Sequence, residues 1–131
     1  MTVCLDSWAV IAWLDGDQPA ETRVRGSLPD RPVISWVNVV EVICRVERRH
    51  GRATADLLLE RLRQGLDLDL PGVSRMIEAA RLKARVPMAL ADCFAVVTAA
   101  ALGLTLLTGD PEIIDAPNLP CAVEDLRGSA P

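Results

Sequence analysis

Asp6, Glu41, Asp92 and Asp110 are acidic residues set into sequence that is otherwise apolar. Asp6 and Asp110 close the runs Val3-Cys4-Leu5-Asp6 and Thr105-Leu106-Leu107-Thr108-Gly109-Asp110, which read as buried strands. Glu41 and Asp92 interrupt helical stretches, Val39-Val40-Glu41-Val42-Ile43 and Ala89-Leu90-Ala91-Asp92-Cys93-Phe94. An ionised carboxylate in apolar surroundings is costly unless something compensates its charge. Few basic residues stand beside these acids, so a divalent cation is the partner their chemistry calls for. A hard cation such as Mg²⁺ or Mn²⁺ takes oxygen ligands and keeps several waters, so a few carboxylates suffice to hold it. Such an ion activates water and offsets charge on a phosphoryl oxygen, which makes phosphodiester hydrolysis the reaction that suits the set.

Each acid also has a plainer explanation. Asp6 and Asp110 suit helix N-caps, and Pro111 fits a first helical position after Asp110. Glu41 and Asp92 lie at no clear helix start, although the dipole of a first turn would also suit Asp92. The combination of four is more specific than any member.

The elements that must position these residues alternate in type. Strands are expected at Thr2–Leu5, Val33–Ile34, Leu66–Leu70 and Thr105–Thr108, with an edge strand at Cys121–Val123. Helices are expected at Ser7–Leu14, Pro19–Leu28, Asn38–Arg49, Thr54–Arg63, Val73–Arg85 and Ala89–Leu102, with a short helical turn from Asp110-Pro111. Leu57, Leu58 and Leu62 fall on one side of the fourth helix in this reading. The pattern predicts a three-layer α/β/α sandwich around a mainly parallel sheet of about five strands. Ligands of such sheets bind beyond the carboxyl ends of the strands, where Asp6 and Asp110 fall. Helices returning to the sheet would bring Glu41 and Asp92 to the same rim. Residues 1–127 read as one domain and 128–131 as a loose tail.

The chain resembles the PIN-domain ribonucleases, and most closely the VapC toxins of bacterial toxin–antitoxin pairs. Leu5-Asp6-Ser7, Asn38-Val39-Val40-Glu41-Val42, Leu90-Ala91-Asp92-Cys93 and Leu106-Leu107-Thr108-Gly109-Asp110 match that family's motifs in order and spacing. The resemblance implies a metal-dependent endoribonuclease that cuts cellular RNA, with Asp6, Glu41, Asp92 and Asp110 as catalytic and metal-binding residues. It implies supporting roles for Ser7 and Thr108, and Glu112 matches an additional acid of some relatives. Lys83 resembles a basic position before the third acidic motif. A cognate antitoxin of the VapB kind and a homodimer are also implied, the antitoxin laying a segment into a groove near Trp8, Trp13 or Trp36. Pro111 and Ile113 depart from the polar and aromatic residues that often follow the last aspartate.

Composition narrows the alternatives. Fourteen Lys and Arg against eighteen Asp and Glu give a net charge of −4, which argues against a protein that coats nucleic acid through overall charge. A local basic segment, Arg45-Val46-Glu47-Arg48-Arg49-His50-Gly51-Arg52, remains available. Arg45, Arg48 and Arg49 suit RNA phosphates or, equally, a solvated helix end, and His50 takes no role. Three tryptophans, one phenylalanine and no tyrosine make a poor stacking platform. Cys4, Cys44, Cys93 and Cys121 lack zinc-site spacing and read as buried, reduced thiols. With no secretory signal and no span long enough for a membrane, the expectation is a cytoplasmic protein. Two rivals are weighed. A haloacid-dehalogenase-type phosphatase needs a second aspartate two residues after the first, where this chain has Trp8. An inactive PIN-like binding module would have no need of all four acids.

Overall fold

A computed structural model of the chain describes residues 1–128, so the tail expected at 128–131 lies, from residue 129 onward, outside the described residues. Five short strands, β1 (Cys4–Leu5), β2 (Val33–Ser35), β3 (Asp67–Asp69), β4 (Leu106–Thr108) and β5 (Val123–Asp125), form one parallel sheet in the order β3-β2-β1-β4-β5. The helices are α1 (Ser7–Asp15), α2 (Ala20–Ser27), α3 (Trp36–His50), α4 (Arg52–Gly65), α5 (Val73–Arg85), α6 (Leu90–Leu102) and α7 (Pro111–Ile114).

The order of strands explains the layers. The chain walks outward from β1 through β2 to β3, then returns past β1 to β4 and β5. Crossovers between parallel strands are right-handed, so reversing the walk moves the connecting helices to the opposite face. Val3, Leu5 and Leu107 accordingly pack with residues of α1–α4, while Cys4 and Leu106 pack with residues of α5–α7. Alternation along β1 and β4 feeds both cores at once, Leu5 and Leu107 on one side and Cys4 and Leu106 on the other. The reversal falls between β1 and β4, and this switch point opens a crevice at their carboxyl ends. The three-layer fold class expected above is the one observed.

Several local expectations shift. Helix α3 starts at Trp36 rather than Asn38, because the Ser35 hydroxyl caps it by accepting the Val37 N–H at 3.2 Å. Leu57 does not share the core side of α4 with Leu58 and Leu62. It lies one residue, about 100°, around the helix from Leu58 and is 69% exposed. The edge strand β5 forms two residues later than the apolar run Cys121–Val123, since its ladder with β4 pairs Leu106 with Val123 and Thr108 with Asp125. An edge strand tolerates those acidic residues on its solvated side. All four cysteines are free, but Cys44 is exposed on α3 and Cys121 half-buried, so only Cys4 and Cys93 fit the buried description. Trp8, Trp13 and Trp36 pack, half-buried, against the α1–α4 core, with the Arg63 guanidinium 5.9 Å from the Trp36 ring centre.

Candidate active site

Asp6 leaves β1 and caps α1. Its Oδ1 accepts the Ala9 N–H at 2.8 Å, and its Oδ2 accepts the Thr108 hydroxyl from the end of β4. The residue is 1% exposed. Burial pushes its carboxyl up to about 7, assisted by the charge of Asp110, although the hydrogen bonds from Thr108 and Ala9 favour the ionised form. The Thr108 hydroxyl oxygen also accepts the Asp110 N–H at 3.0 Å, so one side chain joins the two strand ends.

Asp110 caps α7 in turn, accepting the Glu112 N–H at 2.9 Å, with Pro111 at the first helical position. The capping explanation of Asp6 and Asp110 is thus correct, and it places both carboxylates in the crevice. Asp92 lies in the first turn of α6, nearer a helix start than its surroundings in the sequence suggest. Burial, then the neighbouring acids Asp110, Glu112 and Asp6, push its carboxyl up to about 8. Glu112 reaches back from α7 to accept the Ala89 N–H, just ahead of α6, at 3.3 Å. One oxygen from each of Asp92, Asp110 and Glu112 lies within 4.8 Å of the others.

Glu41 stands apart from this trio. It is exposed on α3 and accepts the Ser7 hydroxyl. Beneath it Asn38, fully buried, donates from Nδ2 to Ser7 Oγ and to the Ala91 carbonyl, each at 3.2 Å. That amide ties α1, α3 and α6 together, and its Oδ1 is buried without a partner. Asn38 is a contributor whose role sequence reasoning missed. The available signal was a polar residue one helical turn before Glu41 within an apolar stretch.

None of the ion pairs among the described residues involves Asp6, Glu41, Asp92, Asp110 or Glu112. Clustered carboxylates without a basic partner form an all-oxygen donor set, and it fits a hard divalent cation far better than zinc. The basic residues take other places. Arg45, Arg48 and Arg49 line a groove that begins at Ser7 and Glu41. Across Ile11 this groove meets a cavity of about 330 Å³ between α1, α3 and α4, lined by Leu57, Leu58, His50 and Arg61 among others. Lys83, exposed in the last turn of α5, acts electrostatically on Cys93, next to Asp92.

A parallel sheet carrying clustered acids at its switch point defines the class, an α/β protein with a carboxylate cluster beyond its strand ends. The PIN domain profile matches residues 3–119, and the chain belongs to the PIN domain family. A search of curated proteins finds no match. Among solved structures, the chain is similar to VapBC from Salmonella typhimurium bound to DNA, at 17% identity over 97% of this chain and 99% of that one, with a TM-score of 0.77. VapBC2 from Rickettsia felis bound to a promoter DNA fragment is similar at 14% identity, covering 95% and 98%, with a TM-score of 0.75. VapC20 of Mycobacterium tuberculosis, described as a Sarcin-Ricin loop cleaving toxin, matches at 16% identity over 92% and 98%, with a TM-score of 0.72. At these identities the likeness is one of fold.

Proposed function

We propose that this chain is a Mg²⁺- or Mn²⁺-dependent endoribonuclease and the toxin of a toxin–antitoxin pair, cutting cellular RNA in the cytoplasm. The gathering of Asp6, Asp92, Asp110 and Glu112 at the switch point, with no basic partner, carries the reading. Asp92, Asp110 and Glu112 would hold the cation. Asp6, gripped by Thr108 and the Ala9 N–H, fixes the spacing of the two strand ends and adds negative charge. When bound, the ion supplies an activated water and neutralises charge on the scissile phosphate. Glu41, steadied by Ser7, completes the acidic rim on the side where substrate enters. Arg45, Arg48 and Arg49 receive phosphates of the strand along the adjoining groove, and Lys83 serves the opposite side.

A cognate antitoxin belongs to this reading, because VapBC complexes are among the structures of the same fold. The α1–α3–α4 cavity, where Leu57 and Leu58 meet Arg45, Arg49 and Arg61, suits a segment with apolar and acidic side chains, as does the groove that Trp36 lines with Val40, Ile43 and Arg48. The active form is a homodimer, for which exposed Val73, Met76 and Ile77 on one side of α5 offer an apolar face. No helix among the described residues is long and apolar enough to cross a membrane.

The test is a nuclease assay on defined RNA. Internal cleavage with Mn²⁺ that stops in EDTA and returns on metal addition supports the proposal. A folded, metal-loaded chain that leaves RNA intact would support the inactive binding module instead. Light scattering at micromolar concentration tests the dimer, and a monomer would refute it.

A further inference from the structure

Gly109 is buried between Thr108 and Asp110, and its backbone lies against the face of an indole. A Cβ at this position would fall 2.2, 2.3 and 2.5 Å from Cη2, Cζ2 and Cζ3 of Trp8. Ordinary carbon contacts need about 3.5–4.0 Å. Gly16, Gly51 and Gly103 instead have positive φ and open space around them, so backbone conformation explains those glycines. Gly109 has neither. The contact with Trp8 is what excludes a side chain there.

The two residues occupy matching places. Trp8 follows Asp6 by two residues in the first turn of α1, and Gly109 immediately precedes Asp110. The indole therefore seats the loop bearing Asp110 against the helix capped by Asp6. Thr108 makes the other connection between these elements, through its bonds to Asp6 and to the Asp110 N–H. An indole is rigid and cannot retreat as a long flexible side chain would. Any bulk at residue 109 must move the ring or the Asp110 loop.

We propose that Trp8 and Gly109 form a matched pair that sets the position of Asp110 in the metal site, with Trp8 a positioning residue. This rests on the reading that Asp110 binds a divalent cation. The test measures Mn²⁺ binding by calorimetry, with thermal unfolding in EDTA as the control for folding. The variants are Trp8→Phe, Trp8→Ala, Gly109→Ala and the double change Trp8→Ala/Gly109→Ala. Partners that orient metal ligands are typically worth about 10–100-fold in affinity, and Gly109→Ala is expected to weaken Mn²⁺ binding by about tenfold or more. Trp8→Phe keeps an aromatic plane and stays close to native.

The decisive expectation is coupling. With the indole gone, the added methyl finds space, so the double variant binds Mn²⁺ no more weakly than Trp8→Ala alone. Native Mn²⁺ affinity in folded Gly109→Ala, or additive losses in the double variant, would overturn the pairing while leaving the metal reading intact. If Gly109→Ala does not fold, the comparison of Trp8→Ala with the double variant decides by the same criterion. A native chain that binds no Mn²⁺ would overturn the metal reading and this inference with it.

Discussion

The acids divide between two regions that differ in burial. Asp6 and Asp92 are 1% and 9% exposed at the strand ends and the α6 N-terminus, and proton affinity rises there. Glu41 lies on the open side of α3 with a serine hydroxyl as its partner. A carboxylate in the first region stores unfavourable charge that a cation can relieve, whereas one in the second is already hydrated. The difference teaches that four acids equivalent in the sequence need not be equivalent in chemistry. Buried Asp92 converges with half-buried Asp110 and exposed Glu112 on one point, whereas Glu41 stands with Ser7 on the open side of α3.

The largest effect is expected in the buried region. Asp92→Asn should abolish RNA cleavage in a gel assay, beyond the roughly 10–100-fold that even outer partners of a metal site contribute. Thermal unfolding without metal should be unchanged or raised, because removing one of several like charges relieves repulsion. Native activity in folded Asp92→Asn would end its catalytic role. Glu41→Gln sharpens the contrast. Cleavage should fall about 10–100-fold while Mn²⁺ affinity stays near native, and an equal loss of Mn²⁺ affinity would place Glu41 among the ligands.

The pH dependence follows from the same burial. Asp92 has its carboxyl raised from 3.8 to about 8, and Asp6 from 3.8 to about 7, so the folded chain binds more protons than the unfolded chain between those values. Stability of the metal-free protein therefore falls as pH rises from about 4 to about 8, where the penalty is complete. Mn²⁺ affinity runs the other way, rising toward pH 8 as the ion displaces protons. Denaturant unfolding in EDTA across this range checks the first slope, and a stability that increases with pH would contradict it. The smallest effect belongs to the groove. Arg45→Ala or Arg49→Ala should reduce the slope of log affinity against log salt by roughly 0.7 per lost phosphate contact on single-stranded RNA. An unchanged slope assigns these arginines to a solvated helix end.

Much of this architecture was legible in the chain because β1, β2 and β4 lie in short apolar runs and most helices end at a glycine or before a proline. Gly16 and Gly103 close α1 and α6 in left-handed conformation, as their positions suggest. Legibility failed where a partner decides the outcome. Val123–Asp125 becomes a strand through its ladder with β4, although its own acids argue otherwise. Glu112 looked subsidiary because only the turn of α7 brings it beside Asp92 and Asp110. The bridging amide of Asn38 and the seat of Trp8 on Gly109 depend on packing between residues far apart in sequence. Such contacts have no local periodicity from which to be read.

The most direct test is anomalous diffraction from crystals of the chain grown with Mn²⁺. A manganese peak is expected among the carboxylates of Asp92, Asp110 and Glu112, lost in Asp92→Asn crystals. A peak absent from that position at saturating Mn²⁺, or retained undiminished without the Asp92 carboxylate, would contradict it.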